Sequence, residues 1–129
     1  MKPVAADTHA AIWFLENDRR LTAAAAGALD KAERILLPSI CLVEITYLVE
    51  KGRLEEAVLP RLYAELDNPS TTLFLAPLDL GVVLALQRIS RLDVPDLPDR
   101  VIAATARHYC VPPVTRDRVI RASGVETIW

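Results

Sequence analysis

Four carboxylates, Asp7, Glu44, Asp99 and Asp117, are the side chains whose types and surroundings could do chemistry in this 129-residue sequence. Asp7 ends the apolar run Pro3-Val-Ala-Ala6 and precedes a stretch that reads as helix. Ligands gather at the carboxyl ends of strands in open parallel sheets. Asp7 is therefore placed either to meet a ligand or simply to cap the following helix. Glu44 stands in Ile40-Cys-Leu-Val-Glu-Ile-Thr-Tyr-Leu-Val49, which is apolar nearly all round; Ile40, Val43, Tyr47 and Leu48 are its neighbours at helical spacing. A carboxylate buried there needs a partner or must be neutral. A buried ion pair with an arginine and a functional role explain it equally well. Asp96 and Asp99 flank a helix start in Asp96-Leu-Pro-Asp99-Arg100, where Asp96 suits an N-cap, Pro98 the first turn and Asp99 a capping-box partner. Asp117 follows Val114-Thr-Arg116, just past a short strand, and could cap a short helix.

Judged singly, Asp7, Asp99 and Asp117 are explained by capping. Taken together, three acids sit after strands or at helix starts, positions that converge at one edge of a parallel sheet. The fourth lies on an apolar helix face. Four such groups close together repel one another and need cations to balance them. Oxygen donors without nearby His or Cys suit Mg2+ or Mn2+, and such ions can activate water and stabilise charge on a phosphoryl group.

The elements that must position these acids follow from pattern. Strands are predicted at Pro3–Ala6, Arg34–Leu37, Thr72–Ala76, Val111–Thr115 and Val125–Ile128. Helices are predicted at His9–Glu16; at Leu21–Lys31 with Thr22 as N-cap; and at Ile40–Glu50 with Ser39 as N-cap and Gly52 as the stop. Leu54, Val58, Leu62 and Leu66 recur every fourth residue, in a helical stretch that Pro60 should kink or divide. Further helices are expected at Asp79–Ser90, with Leu80, Val83 and Leu84 on one face, from Pro98 to about His108, and at Arg116–Ala122. Strands alternating with helices indicate an α/β fold with a four- to five-stranded parallel sheet covered on both faces. The length suits a single domain over residues 1–129.

Bulk properties narrow the class. Hydrophobic residues make up 52%, which argues against global disorder. Lys2 and a short apolar run ending at Asp7 do not resemble a signal peptide, and the uncharged runs are too short to cross a bilayer. Cys41 and Cys110 form no paired motif, so a reduced cytoplasmic protein without a zinc site is expected. The net charge of −2 counts mildly against non-specific nucleic-acid binding. Yet from Leu97 onward five arginines face three acids. Among them Arg100, Arg116 and Arg118 are candidates for phosphate contacts.

At these residues the chain resembles a PIN domain, specifically the VapC-type toxins of the VapBC toxin–antitoxin systems. The matching segments are Asp7-Thr-His-Ala10 with Trp13, Ser39-Ile-Cys-Leu-Val-Glu44-Ile, Asp96-Leu-Pro-Asp99-Arg100-Val-Ile-Ala-Ala-Thr-Ala106 and Val114-Thr-Arg-Asp117. Their order spans the whole chain, although no single motif is specific. The resemblance implies a three-layer α/β/α sandwich and an endoribonuclease that hydrolyses RNA phosphodiester bonds with Mg2+ or Mn2+. A water would attack phosphorus in line, leaving 5′-phosphate and 3′-hydroxyl ends. It also implies that Asp7, Glu44, Asp99 and Asp117 are the four family acids, and that Thr8 and Thr115 are hydroxyls assisting metal or water. Asp96 matches an additional acid. A homodimer and a VapB-like antitoxin covering the site are implied as well. Pro98 replaces an aromatic common before the third acid, and Val43 replaces a Trp common before the second. Neither position supplies a ligand, so these departures bear on substrate preference.

Two other readings compete. A catalytically silent RNA- or protein-binding module would use the mild net charge and the apolar stretch Trp13-Phe14-Leu15 as a partner or dimer surface, although core packing explains that stretch too. A receiver-like phosphoacceptor would need a lysine near the chain end. The lysines are Lys2, Lys31 and Lys51, so this reading ranks last.

Overall fold

The computed structural model describes residues 2–129. Its elements run β1 (Val4–Ala6), α1 (Thr8–Leu15), α2 (Ala23–Lys31), β2 (Ile35–Pro38), α3 (Ser39–Glu50), α4 (Val58–Asp67), β3 (Leu73–Ala76), α5 (Leu80–Leu86), α6 (Leu97–Tyr109), β4 (Pro113–Val114) and α7 (Arg118–Arg121). The strands form one parallel sheet in the order β3-β2-β1-β4. Every residue of β1 and β2 is buried. Successive side chains of a strand point to opposite faces, so both faces are covered, as in a three-layer α/β/α sandwich. The two faces can be read from the core itself. Val4, Ala6, Ile35 and Leu37 join the larger apolar cluster, whereas Ala5 and Leu36 join a smaller one with Ala76, Ala106 and Val111.

Local chemistry explains most boundaries. Thr22 accepts the Ala25 N–H and caps α2, as its position suggested. Gly52, at φ +71°, turns the chain out of α3, and its N–H bonds to the Val49 carbonyl. Other expectations fail. Ser39 does not cap α3: Pro38 occupies the cap without a side-chain bond, and the Ser39 hydroxyl accepts the Leu78 N–H instead. Pro60 neither kinks nor divides a helix. It sits in the first turn of α4, where its missing N–H would have no partner. The fifth strand shrinks to a single parallel bridge between Ile128 and Val114.

Helix α5 carries Leu80, Val83 and Leu84 on one face, as expected, and that face meets solvent. Val82 is the residue that enters the core. The helix ends at Leu86, short of Ser90. There Arg100 intervenes from α6: its Nε donates to the Ile89 carbonyl at 2.8 Å and its Nη2 to the Leu86 carbonyl at 3.0 Å. Two donors of Arg100, the expected phosphate contact, therefore satisfy the end of α5. Arg100→Met should cost roughly 1–3 kcal/mol, because two acceptors lose charge-assisted donors. Chemical denaturation would measure that loss, and any activity of the cavity described below should survive it.

Candidate active site

The carboxyl ends of β1 and β4 lie side by side, since Ala6 pairs with Val114. Asp7 and Thr115 follow directly, and the two elements meet through side chains. Asp7 caps α1 with Oδ1, which accepts the Ala10 N–H at 2.8 Å, while its Oδ2 accepts a short hydrogen bond from the Thr115 hydroxyl. The same Thr115 oxygen accepts the Asp117 N–H at 3.0 Å. Asp117 then caps α7 by accepting from Val119 and Ile120 through Oδ1. Glu44 projects from α3, and its Oε1 accepts the Thr8 hydroxyl at 2.8 Å. At the start of α6, Asp96 caps the helix by accepting the Asp99 N–H. The return bond from the Asp99 carboxylate to the Asp96 N–H, which would complete a capping box, is not formed among the described residues.

Capping and convergence thus coexist. Asp7, Glu44, Asp99 and Asp117 all line one cavity of about 270 Å3, together with Thr8, His9, Trp13, Ile102, Arg116 and Trp129. A carboxylate has about four lone-pair sites, so a cap leaves capacity over. No arginine neutralises Glu44: the one ion pair among the described residues joins Arg20 to Asp18, whose carboxyl is held down to about 2 by Arg20. Among these residues, no three acidic, histidine or cysteine side chains stand close enough to form a ready-made metal cage. The four acids share the lining of one cavity, with Asp7 and Asp117 also held as helix caps.

The electrostatics fit a site that needs positive charge. Burial raises Asp7, which is only 8% exposed, against the lowering pull of Thr115, the Ala10 N–H and His9. Burial also raises Glu44, opposed by Thr8 and reinforced by Asp96. Asp99 is pushed up to about 7, first by burial and then by Asp117 and Asp96. Beneath them the Cys41 thiol is raised mainly by burial, and the charges of Asp7, Glu44 and Asp99 add to the effect. Bringing carboxylates together stabilises either bound protons or a bound cation.

The remaining expected residues separate clearly. Arg116 lines the cavity and lies 4.6 Å over the Trp13 ring. Arg118 is exposed on α7 and Asp96 is exposed at its cap, both outside the cavity lining. Thr115 is fully buried with its hydrogen committed to Asp7. Trp13 is buried, and Phe14 and Leu15, partly buried, pack against the core. The exposed apolar side chains lie elsewhere, among them Val43 (61% exposed) and Tyr47 (55%) on α3, a helix whose apolar sequence suggested fuller burial. Sequence reasoning did not include His9 or Trp129 in the site. His9 could have been found as the residue two past Asp7 at a helix start. Trp129 carries no local signal and reaches the site only through the return of the chain end to β4.

A family model described as PIN domain matches residues 4–124, which include all four acids. The chain belongs to the PIN-domain family. Among curated proteins, it is 30% identical over 125 residues to "Ribonuclease VapC22" of Mycobacterium tuberculosis (strain ATCC 25618 / H37Rv), covering 95% of this chain and 92% of that protein. Solved structures agree on the PIN fold. A chain in the crystal structure of VapBC2 from Rickettsia felis, bound to a DNA fragment from their promoter, matches with a TM-score of 0.70 and 16% identity over 97% of this chain and 96% of that one. A chain of FitAcB from Neisseria gonorrhoeae matches at 0.65 and 21% identity over 96% and 95%.

Proposed function

We propose that this PIN domain is a divalent-metal-dependent endoribonuclease and the toxin of a toxin–antitoxin pair. The observation that carries the reading is the shared cavity: four carboxylates from four separate parts of the chain line it, and none has a basic ion-pair partner among the described residues. Asp7, Glu44, Asp99 and Asp117 would hold Mg2+ or Mn2+, since hard oxygen donors suit those ions. When bound, the cation polarises water and offsets charge on the phosphoryl group.

The protein's own contribution is positioning. Thr115 fixes the Asp7 carboxylate and the turn at Asp117, and Thr8 fixes Glu44. These hydroxyls orient the acids; neither is a ligand in this reading. Asp96 acts from outside the lining: its charge raises Glu44, and its charge together with a side-chain hydrogen bond raises Asp99. Arg116, laid on Trp13, is the cation best placed to meet a substrate phosphate, and Arg118 is a more distant second.

The curated relative's name supports RNA as the substrate, and the VapBC2 title supports assembly with a VapB-like antitoxin. The exposed apolar side chains on α3 and α5 supply surface for that partner and for a homodimer. No helix among the described residues is long and apolar enough to cross a membrane, and a cytoplasmic location suits two unpaired cysteines. The test is cleavage of a structured RNA by the purified chain. Turnover should require Mg2+ or Mn2+ and stop in EDTA. RNA binding without turnover in any divalent ion would leave a binding module in its place.

A further inference from the structure

Besides the acids, His9, Trp13, Trp129 and Arg116 form an aromatic and basic part of the cavity wall. Trp13 is its anchor, almost fully buried. Around its ring lie His9 at 5.5 Å and 49°, Trp129 at 6.0 Å and 55°, and the Arg116 guanidinium at 4.6 Å. Arg20 also lies over Trp13, at 4.8 Å, but its guanidinium is held by Asp18. Arg116 has no ion-pair partner among the described residues. A site for phosphate and cation alone requires no aromatic surface. A nucleotide presents both groups, an anion on one side and a flat π-system on the other.

We propose that this wall is a stacking subsite for one unpaired nucleobase beside the bond being cut; the proposal rests on the ribonuclease reading of the same cavity. Exposed His9, half-buried Trp129 and the Arg116 plane offer the surfaces on which single-stranded RNA is held elsewhere in biology. A cavity of about 270 Å3 is near the lower end for small-molecule sites, roughly 300 Å3, and suits one nucleotide, not a duplex. Trp13 orients the wall, and its neighbours touch the base.

The first test is a short single-stranded RNA carrying one abasic residue, scanned across the cut. With the wild-type protein, one position flanking the cut should lose about 5- to 100-fold in kcat/KM, with little change elsewhere. In His9→Ala or Trp129→Leu that penalty should largely vanish, a coupling that a merely structural role would not produce. A flat abasic profile with efficient cleavage would overturn the subsite and leave the enzyme reading intact. The second test needs no cleavage. Trp13 and Trp129 are the only tryptophans in the chain, so intrinsic fluorescence reports on this wall. A single-stranded RNA should quench it, and an abasic sugar-phosphate chain of equal length should not. Quenching without turnover would sink the enzyme reading and, with it, the placement of the stacked base beside a cut. Unchanged fluorescence with RNA bound, or no RNA binding at all, would overturn the subsite.

Discussion

Asp7→Asn and Asp99→Asn should each lower RNA cleavage by about 100-fold or more while leaving the fold intact. Each change removes one negative oxygen donor from a site proposed to hold a divalent cation, and such an ion contributes several kcal/mol of transition-state stabilisation. The folded state tolerates both changes for different reasons. Asn can still accept the Ala10 N–H that Asp7 accepts. The side chain of Asp99 makes no cap bond that an amide would lose. Single-turnover cleavage alongside a thermal melt separates the two effects. Cleavage by both variants at the wild-type rate would remove these acids from the chemistry. The comparison with Arg100→Met is informative, because that residue belongs to the neighbouring α5 terminus and should cost stability without costing rate.

The second large effect is thermodynamic. In the metal-free protein Asp7, Glu44 and Asp99 all have raised pKa values. A carboxyl whose folded pKa exceeds its unfolded value binds protons more tightly when folded. Its contribution is complete below the unfolded pKa and is lost as pH rises through the folded one. For Asp99 that window runs from the ordinary 3.8 up to about 7. Without metal, the protein should therefore melt at a higher temperature at pH 5 than at pH 8. Asp99→Asn should flatten this dependence and stabilise the metal-free protein at pH 8. The gain should be about 1 kcal/mol once solvent screening of a half-exposed group is allowed for, or a few degrees in Tm. Mg2+ should act in the opposite sense to the repulsion, adding about 2.7 kcal/mol at a hundredfold excess over its Kd. That stabilisation should grow with pH, as protons cease to compete, and should be smaller in the variant. Scanning calorimetry at pH 5 and pH 8, with and without Mg2+, measures all four terms. A metal-free melt that rises with pH, or no response to millimolar Mg2+, would contradict the repulsion on which the site depends.

How far the sequence was legible depends on how local each signal is. Asp7, Asp96 and Asp117 were readable because strand ends and helix starts carry short-range patterns. Those same patterns could not tell a cap from a site, and Asp7 and Asp117 serve as caps while lining the cavity. Glu44 was readable because a carboxylate on an apolar helix is costly without a reason. Its surroundings were misjudged, since Val43 and Tyr47 on the same helix face solvent. The end of helix α5 was misplaced, and its seven residues of nearly continuous apolar sequence offer no polar face to show which side meets solvent. The side chain of Arg100 spans from α6 to α5, and no spacing rule reveals where so long a group ends. Ile128 met β4 at one bridge only, so a strand pattern existed without a strand. Trp129 lies far along the chain from Asp7, and its place in the cavity is a product of the fold alone.

The most direct measurement is anomalous diffraction from crystals soaked in Mn2+. The expected result is a strong peak in the cavity within direct ligand distance of Asp7 and Asp99, with Glu44 and Asp117 turned towards it, and no such peak in Asp99→Asn crystals. A fully soaked crystal whose anomalous signal lies only at surface carboxylates, with these four acids undisturbed, would contradict the metal centre.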